Sequence, residues 1–102
     1  MSEAQSASSS VSLADLTAFR RDVLRALAHE GPSKGLSVKD ALEEYYGERV
    51  NHGRLYPNLD ALVNKGLVSK SERDARTNEY ALTHEGEQAL EARDDWTSGD
   101  GE

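Results

Sequence analysis

Apolar residues recur along the chain with the spacing of helices that bury one face. The first stretch carries the stripe Leu16, Phe19, Val23, Leu24 and Leu27. Asp15 and Thr17 precede most of this stripe, and either side chain can accept a hydrogen bond from a free backbone N–H. The pattern predicts a first helix that is capped by Asp15 or Thr17 and that stops at Gly31.

Two more helices are predicted between residues 37 and 66, after a loop at residues 31–35. Ser37 with Asp40 forms a variant of the capping box, and Gly47 ends the second helix. The inner stripe of this helix is Val38, Leu42 and Tyr45. The third helix is expected to begin near Asn51 and to end at Gly66, although it contains Pro57. Its inner face holds Leu55, Leu59, Leu62 and Val63.

Beyond this helix the spacing changes to that of strands. The alternating residues are Val68 and Lys70, then Tyr80 and Leu82. The polar segment 72–78 separates them, which predicts a β-hairpin. Thr83 can cap a fourth helix that reaches Trp96, with acidic residues in its first turn. The expected fold is mainly α with a small β-hairpin wing, a winged helix-turn-helix in the order α1-α2-α3-β-β-α4.

The bulk composition fits one small domain of a chain with 102 residues. We assign it to residues 12–96, between a Ser/Ala-rich tail at 1–11, expected to be disordered, and an acidic tail at 97–102. The chain has no cysteine, which excludes disulfides and thiolate metal sites. Its apolar runs are too short to cross a membrane, and its N-terminus lacks the pattern of a secretory signal, so a cytoplasmic protein is expected.

The charge is distributed unevenly. The net charge is −7, yet residues 49–76 hold six Lys or Arg and three Asp or Glu, a local charge of +3 that leaves −10 on the rest. A basic face on an acidic body is the electrostatic pattern of a nucleic-acid-binding protein. Lysine supplies only four of the twelve basic residues, beside nineteen acidic ones, which indicates a salt-loving cytoplasm; ordinary acidic solubility is the alternative.

The second and third helices resemble a helix-turn-helix, which places its second helix in the DNA major groove. Helical geometry points Arg54, Pro57, Asn58, Ala61 and Lys65 away from the inner leucines. Arg can pair with guanine and Asn with adenine. The alternative is a solvated face on a three-helix core.

The hairpin tip carries Arg73 and Arg76, which are expected to contact phosphates or a narrow minor groove; a plain exposed turn is the alternative. Lys39 and Lys70 are expected on phosphates, with Lys34 as a further candidate. Tyr45 and Tyr80 are expected in the core, and Tyr56 either at its edge or on a phosphate. The three histidines are scattered, and no catalytic or phosphate-loop motif is present, so we expect no enzyme, metal or cofactor.

The segments "NHGRLYPNLDALVNKGLV" and "NEYALTHEGEQAL" resemble the PadR-type winged-helix transcriptional regulators, above all those of salt-loving archaea. The matching residues are Gly53, Leu55, Tyr56, Pro57, Leu59, Leu62, Lys65, Gly66, Leu67, Tyr80, Leu82, Thr83 and Gly86. The resemblance spans roughly residues 15–93. It implies a homodimer built by the first and last helices, with the third helix and the wing on DNA. The chain lacks the extended C-terminal region of longer members, so no small-molecule effector is expected.

Together these observations predict a sequence-specific DNA-binding transcriptional regulator that acts as a homodimer. The expected DNA contacts are Lys39, Asn51, His52, Gly53, Arg54, Tyr56, Pro57, Asn58, Lys65, Lys70, Arg73 and Arg76. The expected dimer contacts are Leu13, Leu16, Leu90 and Trp96, because a lone tryptophan near a chain end fits an interface. The alternative is a winged-helix module that binds protein inside a larger complex.

Overall fold

The computed structural model describes residues 11–99 and has the predicted winged arrangement. A short 3-10 helix, Leu13–Asp15, comes first. It is followed by α1 (Ala18–Glu30), β1 (Ser33–Lys34), α2 (Gly35–Tyr46), α3 (His52–Asn64), β2 (Val68–Asp74), β3 (Thr77–Leu82) and α4 (His84–Ser98). The three strands form one antiparallel sheet in the order β1-β3-β2. Among the described residues, no helix is long and apolar enough to cross a membrane.

The beginnings of the helices follow local side-chain chemistry in most cases. Thr17 caps α1 by accepting a hydrogen bond from the backbone N of Arg20 at 3.2 Å, whereas Asp15 belongs to the preceding 3-10 helix. Thr83 caps α4 by accepting from Gly86 N at 3.0 Å. The predicted cap of α2 at Ser37 is wrong, because α2 already begins at Gly35 and has no side-chain cap.

The early start of α2 has a tertiary cause. Ser33 and Lys34 pair with Tyr80 and Glu79 as strand β1. The segment 31–35, expected to be a loop, therefore contains an edge strand, and α2 begins at the residue after it. A strand of two residues is too short to leave a periodic signal in the sequence. On the other side of β3, β2 extends to Asp74 with a bulge after Glu72, and the turn narrows to residues 75–76.

One core lies between the helices and the inner face of the sheet. Its fully buried side chains include Val23, Leu24, Leu27, Val38, Leu42, Leu55, Leu59, Leu62, Leu67 and Val68. Tyr80 is 3% exposed and joins this core as predicted, but Tyr45 is 78% exposed and its predicted burial is wrong. The inward face of α2 continues from Leu42 to Tyr46, four residues on, and the Tyr46 hydroxyl donates a hydrogen bond to Asp22 at 2.6 Å.

The two ends of the expected domain differ from the sequence assignment. Val11, expected in the tail, is partly buried and packs against the core. Helix α4 continues to Ser98, two residues into the expected acidic tail. The remainder of both expected tails, residues 1–10 and 100–102, lies outside the described residues.

Candidate nucleic-acid interface

The first half of helix α3 has a side-chain cap, a proline and one face that is exposed. Asn51 caps the helix, and its side-chain oxygen accepts a hydrogen bond from the backbone N of Gly53. Pro57 stands inside the helix and supplies no N–H for the backbone ladder. Because Leu55 and Leu59 are fully buried, the other side of this first half of α3 faces outward.

The outward face largely matches the predicted set. His52, Gly53, Arg54, Pro57 and Lys65 are exposed, as is the cap Asn51, whereas Asn58 and Ala61 are half-buried. The His52 and Tyr56 rings lie 5.7 Å apart between centroids. Tyr56 is half-buried at the edge of the core, and its ring lies so close to Gly35 that a Cβ there would collide with it. Tyr56 therefore joins the exposed face of α3 to the start of α2.

Arg54 and Asn58 do not extend freely into solvent. The guanidinium carbon of Arg54 lies 3.9 Å from the centroid of the Phe19 ring. The Asn58 amide donates to the carbonyl of Arg54 at 2.7 Å and accepts from Nε of Arg20 at 2.6 Å. Two predicted base-reading side chains are thus held by Phe19 and Arg20, in the first turn of α1. Neither residue carries a signal for DNA contact in the sequence, because spacing along the chain cannot indicate contacts such as that of Arg20 with Asn58, 38 positions away.

The turn between α2 and α3 is fastened by one carboxylate. Glu43 accepts hydrogen bonds from Nζ of Lys39 and from the backbone N of Val50, both at 2.8 Å. The hydrogen bond from Lys39, and next that from Val50, hold the pKa of Glu43 below its ordinary value. Gly47 ends α2 in the left-handed conformation, with φ of 73°. Lys39 is therefore paired within the turn and is less available to phosphates than expected.

The wing presents its positive charges differently along its length. Near the base, Nζ of Lys70 lies 3.4 Å from a carboxylate oxygen of Asp60 on α3, and 5.8 Å from the centroid of the Tyr80 ring. The electrostatic effect of Tyr80, and next the hydrogen bond to Asp60, raise the pKa of Lys70. This contact attaches the base of the wing to α3.

At the tip of the wing, Arg73 and Arg76 are exposed, and no carboxylate of the described residues forms an ion pair with either. A side-chain oxygen of Asp74 accepts a hydrogen bond from the backbone N of Arg76 at 3.0 Å, which organises the turn. That bond is the main cause of the lowered pKa of Asp74. The tip therefore carries two exposed guanidinium groups, and none of the contacts among the described residues connects them to α3.

The residues expected at a dimer interface divide into two groups. Leu13, Leu16 and Leu90 are buried within the single chain, so they have almost no surface left to bury against a partner. Their part in a dimer stays a prediction, and in this chain they would act by supporting the interface from the core beneath it. Trp96 is 75% exposed, with the Arg93 guanidinium 5.6 Å from its ring centroid. Trp96 lines a groove of about 690 Å³ between the N-terminal segment and α4.

Comparisons with known proteins agree with this geometry. The model of the transcriptional regulator PadR-like family matches residues 23–92. RosR of H. salinarum is 60% identical, with a TM-score of 0.82 over 86% of this chain and 79% of that one. F93 from STIV, a winged-helix DNA-binding protein, is 18% identical over 76% of this chain and 84% of its own, with a TM-score of 0.65, and so shares the fold.

A curated relative is an uncharacterized 37.1 kDa protein in a transposon of Streptomyces fradiae, 39% identical over 69 residues. The match covers 68% of this chain, which spans about a fifth of that relative's length. A halophilic origin, indicated by the acidic composition, is consistent with the similarity to RosR. The winged-helix architecture, the exposed face of α3 and the family match lead to one conclusion: the chain belongs to the PadR-like family of DNA-binding, non-enzymatic transcriptional regulators.

Proposed function

We propose that this regulator is a cytoplasmic homodimer that recognises specific operators, with α3 in the major groove and the wing on the adjacent minor groove or backbone. The observation that carries this proposal is the exposed first half of α3, which lies in the positively charged segment 49–76 of an otherwise acidic molecule. Its front turn exposes Asn51, His52 and Arg54, just ahead of the buried Leu55 and Leu59. The N-terminal residues of a recognition helix are those that reach base edges.

Arg54 is the main candidate for reading a base, although its guanidinium rests on Phe19 in the free protein. A cation–π contact at an exposed site is worth about 0.5–1 kcal/mol. A bidentate pair between arginine and guanine discriminates by about 1–3 kcal/mol. The second value is larger, so Arg54 can leave the ring when a guanine is presented, and Phe19 keeps the side chain close to the groove until then.

The remaining contacts position the protein on DNA and do not identify the sequence. Lys65 is an exposed ammonium group suited to phosphates, and Lys70 and Lys39 can join it from their ion pairs with Asp60 and Glu43. Gly53, Tyr56 and Pro57 form the surface that approaches the DNA closely. Arg73 and Arg76 reach the backbone or an A/T-rich minor groove from the wing tip.

A second copy of the chain is the proposed partner at the groove beside Trp96. An exposed tryptophan next to the apolar wall of Val11, Ala89 and Ala92 offers the kind of anchor that dominates interfaces. A two-fold dimer would place two α3 helices on successive major-groove faces, about 34 Å apart. No small-molecule effector is part of this proposal.

The test begins with an operator selected from random duplexes by the wild-type protein. Arg54→Ala is expected to lose about 1–3 kcal/mol of binding free energy, concentrated at one base position of a panel of single-base variants. Arg76→Ala is expected to weaken binding to all panel members alike. Equal loss on every duplex for Arg54→Ala would show that Arg54 holds phosphate, and base reading would then move to Asn51 or His52.

The alternative function, a winged-helix module that binds protein, predicts a different dependence on salt. DNA binding releases counterions, so affinity for a duplex must vary systematically with salt concentration. The operator proposal fails if the wild-type protein selects no sequence from random duplexes and shows no salt-dependent duplex binding. That result would support the alternative of a winged-helix module that binds protein.

A further inference from the structure

The hydrogen bonds around Asn58 determine the orientation of its amide. The oxygen accepts from Nε of Arg20, and the nitrogen donates to the carbonyl of Arg54. Rotating the amide by half a turn would place its N–H₂ group against the Arg20 donor and its oxygen against a carbonyl, so both contacts would become repulsive. Each end of the Asn58 amide therefore has one protein partner, which fixes the orientation of the amide and leaves it one N–H donor and one oxygen lone pair.

Arg20, in contrast, has several N–H donors without a protein partner among the described residues. A guanidinium carries five N–H donors in a rigid fork, and only the Nε donor of Arg20 is occupied by Asn58. Among the described residues, no carboxylate forms an ion pair with Arg20. The side chain is half-buried and rests beside the outward face of α3. Its remaining donors and its full charge are thus available beside the outward face of α3, held there by Asn58.

We infer that Arg20 is a DNA-contacting residue of this regulator and that Asn58 is the positioning residue which aims it. The inference rests on the proposed placement of α3 in the major groove. The target is a pair of acceptors matched to a guanidinium fork, supplied either by the O6 and N7 atoms of a guanine or by two oxygens of a backbone phosphate. The first turn of α1 thereby becomes part of the DNA-binding surface.

The central experiment compares Arg20→Ala with the wild-type protein on the selected operator and on its single-base variants. The expected loss on the operator is about 10- to 100-fold in Kd. If the loss is concentrated at one G·C pair, the partner is guanine. If it is uniform and the salt slope falls by about one unit, the partner is a phosphate. Arg20→Lys separates the same two sources, because lysine can hold a phosphate as a point charge but lacks the fork that guanine needs.

Arg25→Ala is the matched control, since it removes the same charge from the same helix. Arg25 forms its ion pair with Asp94 on α4 and has no contact with α3 among those described. The unfolding midpoint of each variant is measured alongside binding, and Arg20→Gln, which removes the charge but keeps most of the side chain, replaces Arg20→Ala for the affinity comparison if the alanine variant does not fold. The inference is overturned if the Arg20 variant binds the operator as tightly as the Arg25 variant.

The double variant tests the role of Asn58. If Asn58 acts only by aiming Arg20, Asn58→Ala weakens binding at the same position as Arg20→Ala and adds nothing once Arg20 is absent. A further loss caused by Asn58→Ala in the absence of Arg20 would show that Asn58 reads DNA itself and would overturn the assignment. Failure of the wild-type protein to select any duplex would count against the proposed function, whereas unchanged affinity in Arg20→Ala beside a weakened Arg54→Ala would count against this inference alone.

Discussion

Gly86 lies in the first turn of α4, where the carbonyl oxygen of Leu67 closes off the space that a side chain would need. A Cβ on Gly86 would come within 2.2 Å of that oxygen. Thr83 strengthens the same junction, since its hydroxyl donates to the carbonyl of Gly66 at 2.7 Å and its backbone N donates to Leu67 at 3.1 Å. Because Gly86 has no side chain, the start of α4 can pack directly against Gly66 and Leu67, which follow α3.

Gly86→Ala is expected to destabilise the fold. Alanine gains about 1 kcal/mol of helix propensity over glycine. The clash here is with backbone, which cannot move aside as the end of a flexible side chain can, and overpacking of this kind costs about 1–3 kcal/mol. We expect a net decrease in the free energy of unfolding, measured by urea denaturation followed by circular dichroism.

Gly53→Ala provides the control for that experiment. Its nearest neighbour is the side-chain oxygen of Asn51 at 3.0 Å, which can shift slightly, and its backbone is in an ordinary helical conformation. Stability of this variant should stay at the wild-type level or rise. If Gly86→Ala is as stable as Gly53→Ala, the junction between α4 and Leu67 is looser than the distances indicate.

At the scale of elements, the connection between α2 and α3 depends on the carboxylate of Glu43. It joins Lys39, one turn earlier, to the backbone N of Val50, just before α3. Because Val50 is itself buried, the bond satisfies a backbone donor at a point where the chain enters the core. The angle between the two helices is thus supported by one titratable group.

This arrangement predicts a specific dependence of stability on pH. The folded state lowers the pKa of Glu43 from 4.5, so its contribution to stability is present above that pH and is lost as the pH falls through the lowered pKa. Glu43→Gln should be less stable than the wild type near neutral pH, and the difference should shrink in acid. Glu44 is an exposed neighbour, so Glu44→Gln is the control, and its free energy of unfolding should depend on pH as that of the wild type does. Parallel curves for the wild type and Glu43→Gln would contradict the role of the carboxylate.

At the scale of the whole molecule, the N-terminal segment and α4 together present the surface that we propose for dimerisation. The aliphatic residues expected there are buried, and Trp96 stands out as the large exposed side chain. Trp96→Ala is expected to weaken the dimer by at least about 2 kcal/mol, as for an interface hot spot. Analytical ultracentrifugation over a range of concentrations measures this.

Tyr45→Ala is the comparison for the dimer experiment, because Tyr45 is an equally exposed aromatic residue on a different helix, α2. Its dimer dissociation constant should equal that of the wild type. An unchanged constant for Trp96→Ala as well would leave the groove beside Trp96 without its proposed partner.

The charge of the whole molecule affects its response to salt. A body with a net charge of −7 is repelled by phosphates while its basic face is attracted, and salt screens both. We expect the affinity for the operator to fall less steeply with salt than is usual for a DNA-binding protein, with binding retained at about 1 M salt. Fluorescence anisotropy across a salt series measures the slope.

Removing negative charge provides the matched variant for the salt experiment. Glu44→Gln combined with Glu48→Gln neutralises two exposed carboxylates at the end of α2. This variant should bind more tightly at low salt and lose affinity more steeply as salt rises. A slope as steep as that of an ordinary DNA-binding protein in the wild type would contradict the role of the acidic body, while leaving DNA binding itself intact.

The sequence alone determined the order of the four helices and of the two hairpin strands, the cap of α4, and the buried leucines of α3, and it narrowed the cap of α1 to Asp15 or Thr17. These features are local: burial of one face imposes a period of 3.6 or 2 residues, and a cap lies within three residues of the N–H it satisfies. At the end of a helix, two neighbouring residues can fit the same apolar stripe almost equally well. For this reason the pattern predicted Tyr45 in the core, whereas Tyr46 is the residue that packs there.

The tertiary structure decided everything that depends on partners far apart in the chain. Strand β1 exists because β3 lies beside it. The buried leucines near the proposed dimer surface belong to the core because the 3-10 helix, α1 and α4 meet there. The link from Arg20 to Asn58 joins residues 38 positions apart. A polar side chain has several possible partners of similar energy, so only the packing of the elements determines which one it meets.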